Sequence, residues 1–322
     1  MDREAVAAVA RIYPLRIPRS YLQLICTPQD SFWRQAVPDS AELASGPETP
    51  DPTGEERQSP VAHLVHRYPD RVVLLVSNRC ALYCRFCMRK RRVGRPAAIT
   101  WPQIYRAIDH IASLPRVREV ILSGGDPLLR DDEELAAILE ALRCLPQIEI
   151  IRIHTRLPVV LPARVTPALV HRLRAFGPLY VNLHVNHPGE ITPESAAACR
   201  RLADAGIPLG SQSVLLKGFN DKTATLRALM RRLTALRVRP YALHHPDPVA
   251  GAAHFRLPLR RGLAIIQALR GHVSGLCIPH YMVDLPGGGG KVPLLPDYWR
   301  RRAGRIVEVM NYEGRRFRYP DG

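Results

Sequence analysis

The chain has 322 residues, a length that fits either two domains or one α/β barrel. Apolar residues make up 46% and charged residues 23%, which excludes a disordered or fibrous protein. The formal net charge of +17 makes nucleic-acid binding one hypothesis, but the basic residues are scattered, and charges spread over a solvated surface are favoured. Without a long apolar run or a secretory segment after Met1, we expect a cytoplasmic protein with no membrane partner.

The first 70 residues predict an N-terminal layer, with a short helix over 4–12 and an irregular connection over 38–60. From residue 71 onward, short β-branched segments alternate with longer amphipathic ones, which predicts βαβ units in a parallel sheet. The predicted strands are 72–77, 119–123, 149–154, 180–185, 209–215 and 239–244, followed by an extended segment over 276–283. The predicted helices are 101–114, 132–145, 166–176, 192–205, 222–236 and 259–271.

Three of these helices begin with a threonine suited to cap the first turn: Thr100, Thr166 and Thr192. About six βα units without a dinucleotide-binding glycine fingerprint favour an α/β fold with a partial (βα)6 TIM-like barrel over an open sheet. We expect an N-terminal helical or irregular layer (1–70), the barrel (71–285) and a short C-terminal segment (286–322). In such a barrel, functional residues lie at the carboxyl ends of the strands.

Cys80, Cys84 and Cys87 follow the first barrel strand with the spacing C-x3-C-x2-C. Three thiolates on one loop can bind three irons of a [4Fe–4S] cluster and leave the fourth iron open. Zinc would require a fourth Cys or His at a suitable spacing. The total of seven cysteines is odd, which argues against a disulfide framework. We expect the other four to pack as small apolar side chains: Cys26, Cys144, Cys199 and Cys277.

The cysteine triplet, with Phe86 before its last member, resembles the radical S-adenosylmethionine (SAM) superfamily, whose open iron chelates the methionine part of SAM. The second strand runs into Gly124-Gly125-Asp126-Pro127, which resembles the GGEP-type motif of that superfamily with Asp in place of Glu. The resemblance implies that Gly124, Gly125 and Asp126 bind SAM. We expect the glycines to let the backbone approach this ligand closely.

From about Tyr13 to Tyr298, the chain more narrowly resembles lysine 2,3-aminomutase and its relatives. Matching segments are 66–71, 158–162, 186–188, 209–216, 271–275 and 284–291. The last of these has four glycines before Lys291, a run that we expect to be flexible and open. The resemblance implies that Lys291 holds pyridoxal 5′-phosphate (PLP) as a Schiff base. Without the resemblance, a solvated lysine on a mobile loop would be favoured.

The same resemblance implies further site residues. Arg67, Tyr68 and Arg71 match the segment that binds the PLP phosphate, and an arginine can grip phosphate bidentately. Arg89 matches the partner of the substrate carboxylate. Arg67 and Arg71 could instead be ordinary solvated charges beside a strand.

Asp247 and Asp284 match the two aspartates that hold the distal ammonium group of lysine. Two buried carboxylates facing one pocket favour a dibasic substrate over glutamate, although arginine or ornithine would also suit. His184 and Gln212, at the ends of two predicted strands, match positions on the SAM side. Asp247 could instead be a turn residue, and His184 a core histidine.

The resemblance implies that a reduced [4Fe–4S] cluster cleaves SAM to a 5′-deoxyadenosyl radical. The radical removes a hydrogen from C3 of lysine, and the α-amino group then moves to C3 to give β-lysine. Such an isomerase needs a free amino acid, a reducing compartment, and an electron donor of the flavodoxin or ferredoxin type. The hard chemistry belongs to the cofactors, while the protein positions them and excludes water.

Several alternatives stay open. After Lys291, only residues 292–298 resemble the longer family members. We expect no counterpart here of the extended C-terminal part of those proteins. That part supports their oligomer, so whether this chain forms a homo-oligomer stays open. The short length also resembles the bacterial enzyme that supplies β-lysine for elongation factor P, whereas 287–291 resembles the longer aminomutases. A basic RNA-modifying iron–sulfur protein is the alternative class, and an iron–sulfur scaffold without catalysis is the third. An RNA modifier has no need for segments 67–71 and 287–291, so we do not expect nucleic acid as a partner. A scaffold would give Gly124-Gly125-Asp126 no role.

Overall fold

A nine-stranded sheet forms the centre of the protein, whose computed structural model describes residues 3–44, 46–95, 97–303 and 306–320. The strands follow one another in the sheet in the order of the chain. They are β1 (Leu64–Tyr68), β2 (Arg71–Ser77), β3 (Glu119–Gly124), β4 (Ile150–Thr155), β5 (Leu179–His184), β6 (Leu209–Val214), β7 (Val238–His244), β8 (His280–Leu285) and β9 (Gly290–Leu294).

Strands β2 to β7 are six parallel neighbours, which confirms the predicted partial barrel. β8 continues the parallel series, while β1 and β9 pair antiparallel at the two edges. The sheet curves until its edges approach each other. Arg67 of β1 is 2.8 Å from Asp284 of β8, and the Tyr68 hydroxyl accepts a hydrogen bond of 2.8 Å from the backbone of Lys291 on β9.

Helices connect the parallel strands and bury their apolar faces against the sheet in one large core. The predicted caps occur: Thr166 accepts from Leu169 and Thr192 accepts from Ser195, while Thr100 donates through its backbone to Gln103. The helices are α1 (Arg3–Ile12), α2 (Arg19–Leu22), α3 (Ser31–Ala36), α4 (Trp101–Ala112), α5 (Asp132–Arg143), α6 (Leu157–Val160), α7 (Pro167–Arg174), α8 (Pro193–Asp204), α9 (Thr223–Ala235) and α10 (Leu259–Leu269).

The N-terminal layer packs against the cysteine loop through buried charge. Glu42, in the 3-10 turn Ser40–Leu43 of the predicted irregular segment, is 2% exposed. Its carboxylate accepts hydrogen bonds of 2.9 and 2.7 Å from Arg85 and one of 2.7 Å from Lys90. Because both cations flank Cys87, one carboxylate fixes both sides of this part of the loop.

Some elements differ from the prediction. Gly275–Cys277 forms a 3-10 turn capped by Ser274, so β8 begins only at His280 rather than within a continuous extended segment over 276–283. The sequence also missed β1, β9 and a separate antiparallel sheet of β10 (Trp299–Ala303), β11 (Ile306–Met310) and β12 (Arg316–Pro320). Within the described ranges, no helix has the length and apolarity needed to cross a bilayer.

The four cysteines outside the triplet fall into two groups. Cys199 and Cys277 are buried, as predicted. Cys26 and Cys144 are exposed, so the prediction was wrong for them. Cys144 caps the end of α5, and Cys26 lies in the turn after α2, and neither position faces the core.

Candidate active site

The three cysteines of the triplet lie on the loop that leaves the carboxyl end of β2. All are free thiols of intermediate exposure, and the backbone of Cys87 donates to the Cys84 carbonyl at 3.1 Å, which closes the loop into a turn. Burial, followed by the charges of Asp126 and the other two cysteines, raises the pKa of Cys80. Burial and Cys84 raise the pKa of Cys87 to about 11. The thiolate state therefore requires a metal or another source of positive charge.

These thiols fit an iron–sulfur cluster better than a single ion. The described residues contain no group of three Cys, His, Asp or Glu side chains placed to hold one metal ion. In a [4Fe–4S] cluster each cysteine binds its own iron, so the thiolates need not converge on one point. A positive charge is also present, because Nη1 of the buried Arg156 lies 2.7 Å from Sγ of Cys84.

Gly124 and Gly125 leave room for the backbone at the start of the cysteine loop, which occupies the space that their side chains would fill. A Cβ atom on Gly124 would lie 2.2 Å from the carbonyl oxygen of Ser77, and one on Gly125 would lie 2.3 Å from that of Arg79. Gly124 also has a φ of +123°, which disfavours a side chain. The close approach to a ligand that we expected of these glycines stays a prediction, and the structure adds a second reason for them. The glycines let the end of β3 pack against the start of the cysteine loop.

Asp126 joins the carboxyl ends of two strands. Its buried carboxylate accepts hydrogen bonds of 2.7 Å from the hydroxyl of Thr155 and 2.7 Å from the backbone of Arg156, and a third of 3.1 Å from the backbone of Leu128. Burial raises the pKa of Asp126. This side chain fixes the loop after β3 to the end of β4, and its predicted contact with SAM stays a prediction.

Lys291 lies directly opposite Asp284 in the β8–β9 hairpin. Three glycines of the turn have positive φ angles, +67° at Gly287, +97° at Gly288 and +87° at Gly290. The run forms a tight hairpin turn with φ angles that glycine adopts more readily than other residues, and the flexibility that we expected of it stays a prediction. The Lys291 ammonium contacts the Asp284 carboxylate, and with 41% of its side chain exposed it remains accessible to a cofactor.

Two of the three predicted phosphate-binding residues contact this hairpin. Arg67 donates to Asp284 at 2.8 Å and is held by hydrogen bonds to Gln58 and Thr53. The Arg71 guanidinium lies 3.9 Å from the centre of the Tyr68 ring, whose hydroxyl binds the backbone of Lys291. The structure thus brings Arg67 and Tyr68 to the hairpin, whereas Arg71 contacts the Tyr68 ring and pairs with Asp70 at 2.9 Å.

Arg89 is held by a carboxylate that the sequence did not reveal. Its Nε and Nη2 atoms donate to Glu55 at 3.0 and 2.7 Å, while Nη1 donates to Ser123 at 3.0 Å. Burial alone would raise the pKa of Glu55, but Arg89 lowers it to about 2, so this carboxylate stays ionised. Glu55 lies in the irregular segment over 38–60, where no pattern signals its role.

Asp247, just past β7, connects the two ends of the site electrostatically. Burial and then the charge of Asp284 raise its pKa to about 6, while Lys291 and Arg89 act in the opposite direction. Asp247 therefore lies within range of both the lysine hairpin and the arginine beside the cysteine loop. Asp284 is close enough to act on the charge of Asp247, and the shared pocket that we expected for the two carboxylates stays a prediction.

His184 and Gln212 are partners in the register of β5 and β6. The His184 ring lies 5.5 Å from the ring of Phe86 in the cysteine loop, and burial lowers its pKa to about 3, so it is neutral. Nε2 of Gln212 lies 3.1 Å from Nδ1 of His154 on β4. No motif in the sequence pointed to His154, which contacts Gln212, or to Arg156, which contacts Cys84. Both lie at the carboxyl end of a barrel strand, which is a signal that could have revealed them.

Two family models match the chain. The Radical SAM superfamily matches residues 74–229, and Lysine-2,3-aminomutase matches residues 266–322. The second match extends well past Tyr298, so the expectation that the resemblance ends there was wrong.

Relatives of known name match along nearly the whole chain. It is 46% identical to the L-lysine 2,3-aminomutase of Clostridium subterminale over 97% of this chain and 76% of that protein. It is 41% identical to that of Bacillus subtilis over 99% of this chain and 69% of the relative. The glutamate 2,3-aminomutase of Clostridioides difficile is 38% identical over 99% and 76% of the two chains. The chain therefore belongs to the lysine 2,3-aminomutase family of the radical SAM superfamily.

Proposed function

We propose that this protein is a lysine 2,3-aminomutase, an isomerase that moves the α-amino group of L-lysine to C3 and forms β-lysine. The observation that carries the proposal is the set of charges that act on Asp247: Asp284 raises the pKa of this carboxyl group, whereas Lys291 and Arg89 lower it. This pocket offers a cation for a carboxylate and two carboxylates for a distal ammonium group.

The cofactors of the family, a [4Fe–4S] cluster, SAM and PLP, supply the radical and the electron sink when bound. Cys80, Cys84 and Cys87 would hold the cluster. Lys291 would hold PLP, with Arg67, Tyr68 and Arg71 at its phosphate. The residues assigned to SAM are Gly124, Gly125, Asp126, His184 and Gln212.

Charge in the pocket favours lysine over glutamate. Asp284 and Asp247 disfavour a second carboxylate, because like charges in a buried pocket repel. Arg89, already oriented by Glu55 and Ser123, presents its guanidinium to the carboxylate shared by all amino acids. Arginine and ornithine satisfy the same charges, so the same reaction on either is the second candidate. β-Lysine supply for modification of elongation factor P is a further use of the same activity.

The wider setting follows from the chemistry. A low-potential cluster needs a reducing compartment, so we propose a cytoplasmic location and a flavodoxin- or ferredoxin-type electron donor. A homo-oligomer is a separate proposal, carried by the family resemblance alone. We propose that the chain divides into an N-terminal layer (1–70), the barrel (71–285) and a C-terminal segment (286–322). Helices α1 to α3 before the sheet and the separate sheet β10–β12 after it support this division, while β1 and β9 extend the central sheet across both boundaries.

An amino-acid panel tests the function. The protein, reconstituted anaerobically with iron and sulfide, receives SAM, PLP and dithionite together with lysine, arginine, ornithine or glutamate. We expect β-lysine from lysine and no β-amino acid from glutamate. If 5′-deoxyadenosine forms while all four amino acids stay unchanged, the aminomutase proposal is wrong.

A further inference from the structure

Arg156 follows β4 directly and reaches into the cysteine loop from the barrel side. Its backbone N–H donates to Asp126 at 2.7 Å, and its side chain is buried. Nη1 lies 2.7 Å from Sγ of Cys84. The guanidinium therefore makes a direct contact with one of the three proposed cluster ligands.

The other end of the guanidinium is anchored by a fully buried polar network. Nη2 donates to Glu190 at 2.5 Å and to Gln35 at 2.9 Å. The Glu190 carboxylate also accepts hydrogen bonds from Tyr21 at 2.9 Å and from the backbone of Asn186 at 2.7 Å. Because Tyr21 and Gln35 come from the N-terminal layer, this network fixes Arg156 between two parts of the chain.

Aromatic rings limit the movement of the side chain further. The Arg156 guanidinium carbon lies 5.6 Å from the ring centres of both Tyr21 and Phe86. An arginine that is held at both ends and flanked by two rings has few alternative rotamers. Its charge is thus presented to Cys84 in a fixed geometry.

A fixed cation beside a cluster ligand has a definite electrostatic consequence. Reduction adds one negative charge to the cluster, and hydrogen bonds to the ligating sulfurs and nearby positive charge stabilise that charge. The surroundings of Arg156 are poor in solvent, so water screens its charge weakly, while the buried Glu190 carboxylate offsets part of that charge and leaves the hydrogen bond to sulfur as the more specific contribution.

We propose that Arg156 is a positioning residue that donates a hydrogen bond to the Cys84 thiolate and makes the iron–sulfur cluster easier to reduce. This inference rests on the proposed function for the presence of the cluster. Arg156 would act through Cys84 on the reduction of the cluster, a step that does not require a bound amino acid.

The test is the midpoint potential of the cluster, measured by redox titration with electron paramagnetic resonance and without SAM or lysine. Arg156→Met should lower the ratio of reduced to oxidised cluster at least tenfold at a fixed potential. This change corresponds to a midpoint potential that is more negative by about 59 mV for one electron. Arg156→Lys keeps the charge but loses the planar fork, so its shift should have the same direction and a smaller size. Arg164→Met is the matched control, because it removes an arginine paired at 2.6 Å with Asp132 on α5.

The outcomes separate this inference from the proposed function. A wild-type potential in Arg156→Met with full iron and sulfide content overturns the role of Arg156, even if lysine is still converted. If Arg156→Met does not fold, Arg156→Gln replaces it, since this neutral side chain can still donate a hydrogen bond to Glu190, and a wild-type potential in that variant overturns the role equally. An unchanged potential with only a higher KM for SAM contradicts it too. Failure of the wild-type protein to bind any cluster overturns both proposals.

Discussion

We expect the carboxyl group of Asp247 to carry the pH dependence of substrate binding. Its pKa is raised to about 6 by burial and by Asp284, with a further contribution from Glu55, and is opposed by Lys291 and Arg89. A substrate ammonium group binds the ionised carboxylate, so below this pKa a proton must first be displaced. The binding of lysine should therefore weaken as the pH falls through about 6.

We expect kcat/KM for lysine to fall about tenfold per pH unit on the acidic side of this pKa, because one proton competes with the substrate. Asp247→Asn should remove this inflection and lower kcat/KM roughly 30-fold or more, since losing one partner of a buried charge pair costs about 2–5 kcal/mol. The measurement is a pH profile between about pH 5 and 8. Asp204→Asn, which loses only an exposed pair with Arg237, is the control. An unchanged inflection in Asp247→Asn would contradict the assignment.

Glu55 orients Arg89, so we expect it to affect substrate binding through that residue. Glu55→Gln can accept only one of the charge-assisted hydrogen bonds from Arg89, so the guanidinium loses orientation. We expect KM for lysine to rise about tenfold with a smaller change in kcat, consistent with about 1.5 kcal/mol for such a bond. Because the pKa of Glu55 is about 2, the effect should be the same across the neutral pH range. A pH-dependent effect, or one on kcat alone, would argue against a positioning role.

At the level of elements, the β8–β9 hairpin determines where Lys291 lies. A Cβ atom on Gly288 would lie 2.6 Å from Nε2 of Gln58, and the φ of +97° disfavours any side chain. Gln58 in turn binds Arg67 at 2.7 Å, so a disturbance of the turn reaches the proposed phosphate site. The glycines at 287, 288 and 290 are thus needed for the geometry of the turn.

Gly288→Ala should displace Lys291 and reduce PLP loading, seen as loss of the borohydride-reducible absorbance band of the lysine Schiff base. The strain should cost roughly 1 kcal/mol or more of folding free energy. Gly206→Ala is the matched control, because Gly206 has a similar φ of +79° but open space around its Cβ position. Equal PLP loading in both variants would contradict the role of the turn.

The sequence predicted the six parallel strands well because buried β-branched segments recur between amphipathic helices. It also predicted the cysteine loop and the lysine segment, which are local motifs. It did not predict β1, whose five residues include His66 and Arg67. The contacts of Glu55 with Arg89 and of Arg156 with Cys84 join positions far apart in the chain, so no local pattern reveals them.

At the scale of the whole molecule, part of the basic charge is used internally. The cluster over 89–92 does not form a free polyanion-binding surface, because acidic residues of the N-terminal layer pair with it. These pairs connect Arg89 with Glu55, Lys90 with Glu42, and Arg91 with Asp51 and Glu56. The side chains of the second basic cluster, 300–302, lie outside the described residues.

This ionic contact between the N-terminal layer and the cysteine loop should stabilise the whole fold. Glu42→Gln leaves Arg85 and Lys90 buried without a full counter-charge, which should cost about 3–5 kcal/mol of unfolding free energy. Urea denaturation measures this loss, and the iron content should fall with it. Glu313→Gln removes an exposed pair with Arg315 and should change stability by less than about 1 kcal/mol. Equal stability of the two variants would show that the contact does not hold the layer.

The most direct test of the central claim follows the nitrogen atom. The anaerobic, reconstituted enzyme is given lysine labelled with 15N only at the α-amino group, and the product is analysed by mass spectrometry and NMR. The aminomutase assignment predicts β-lysine with the label on C3, and no such product from Lys291→Ala. Formation of 5′-deoxyadenosine with unchanged lysine, or β-lysine without the label, would contradict it.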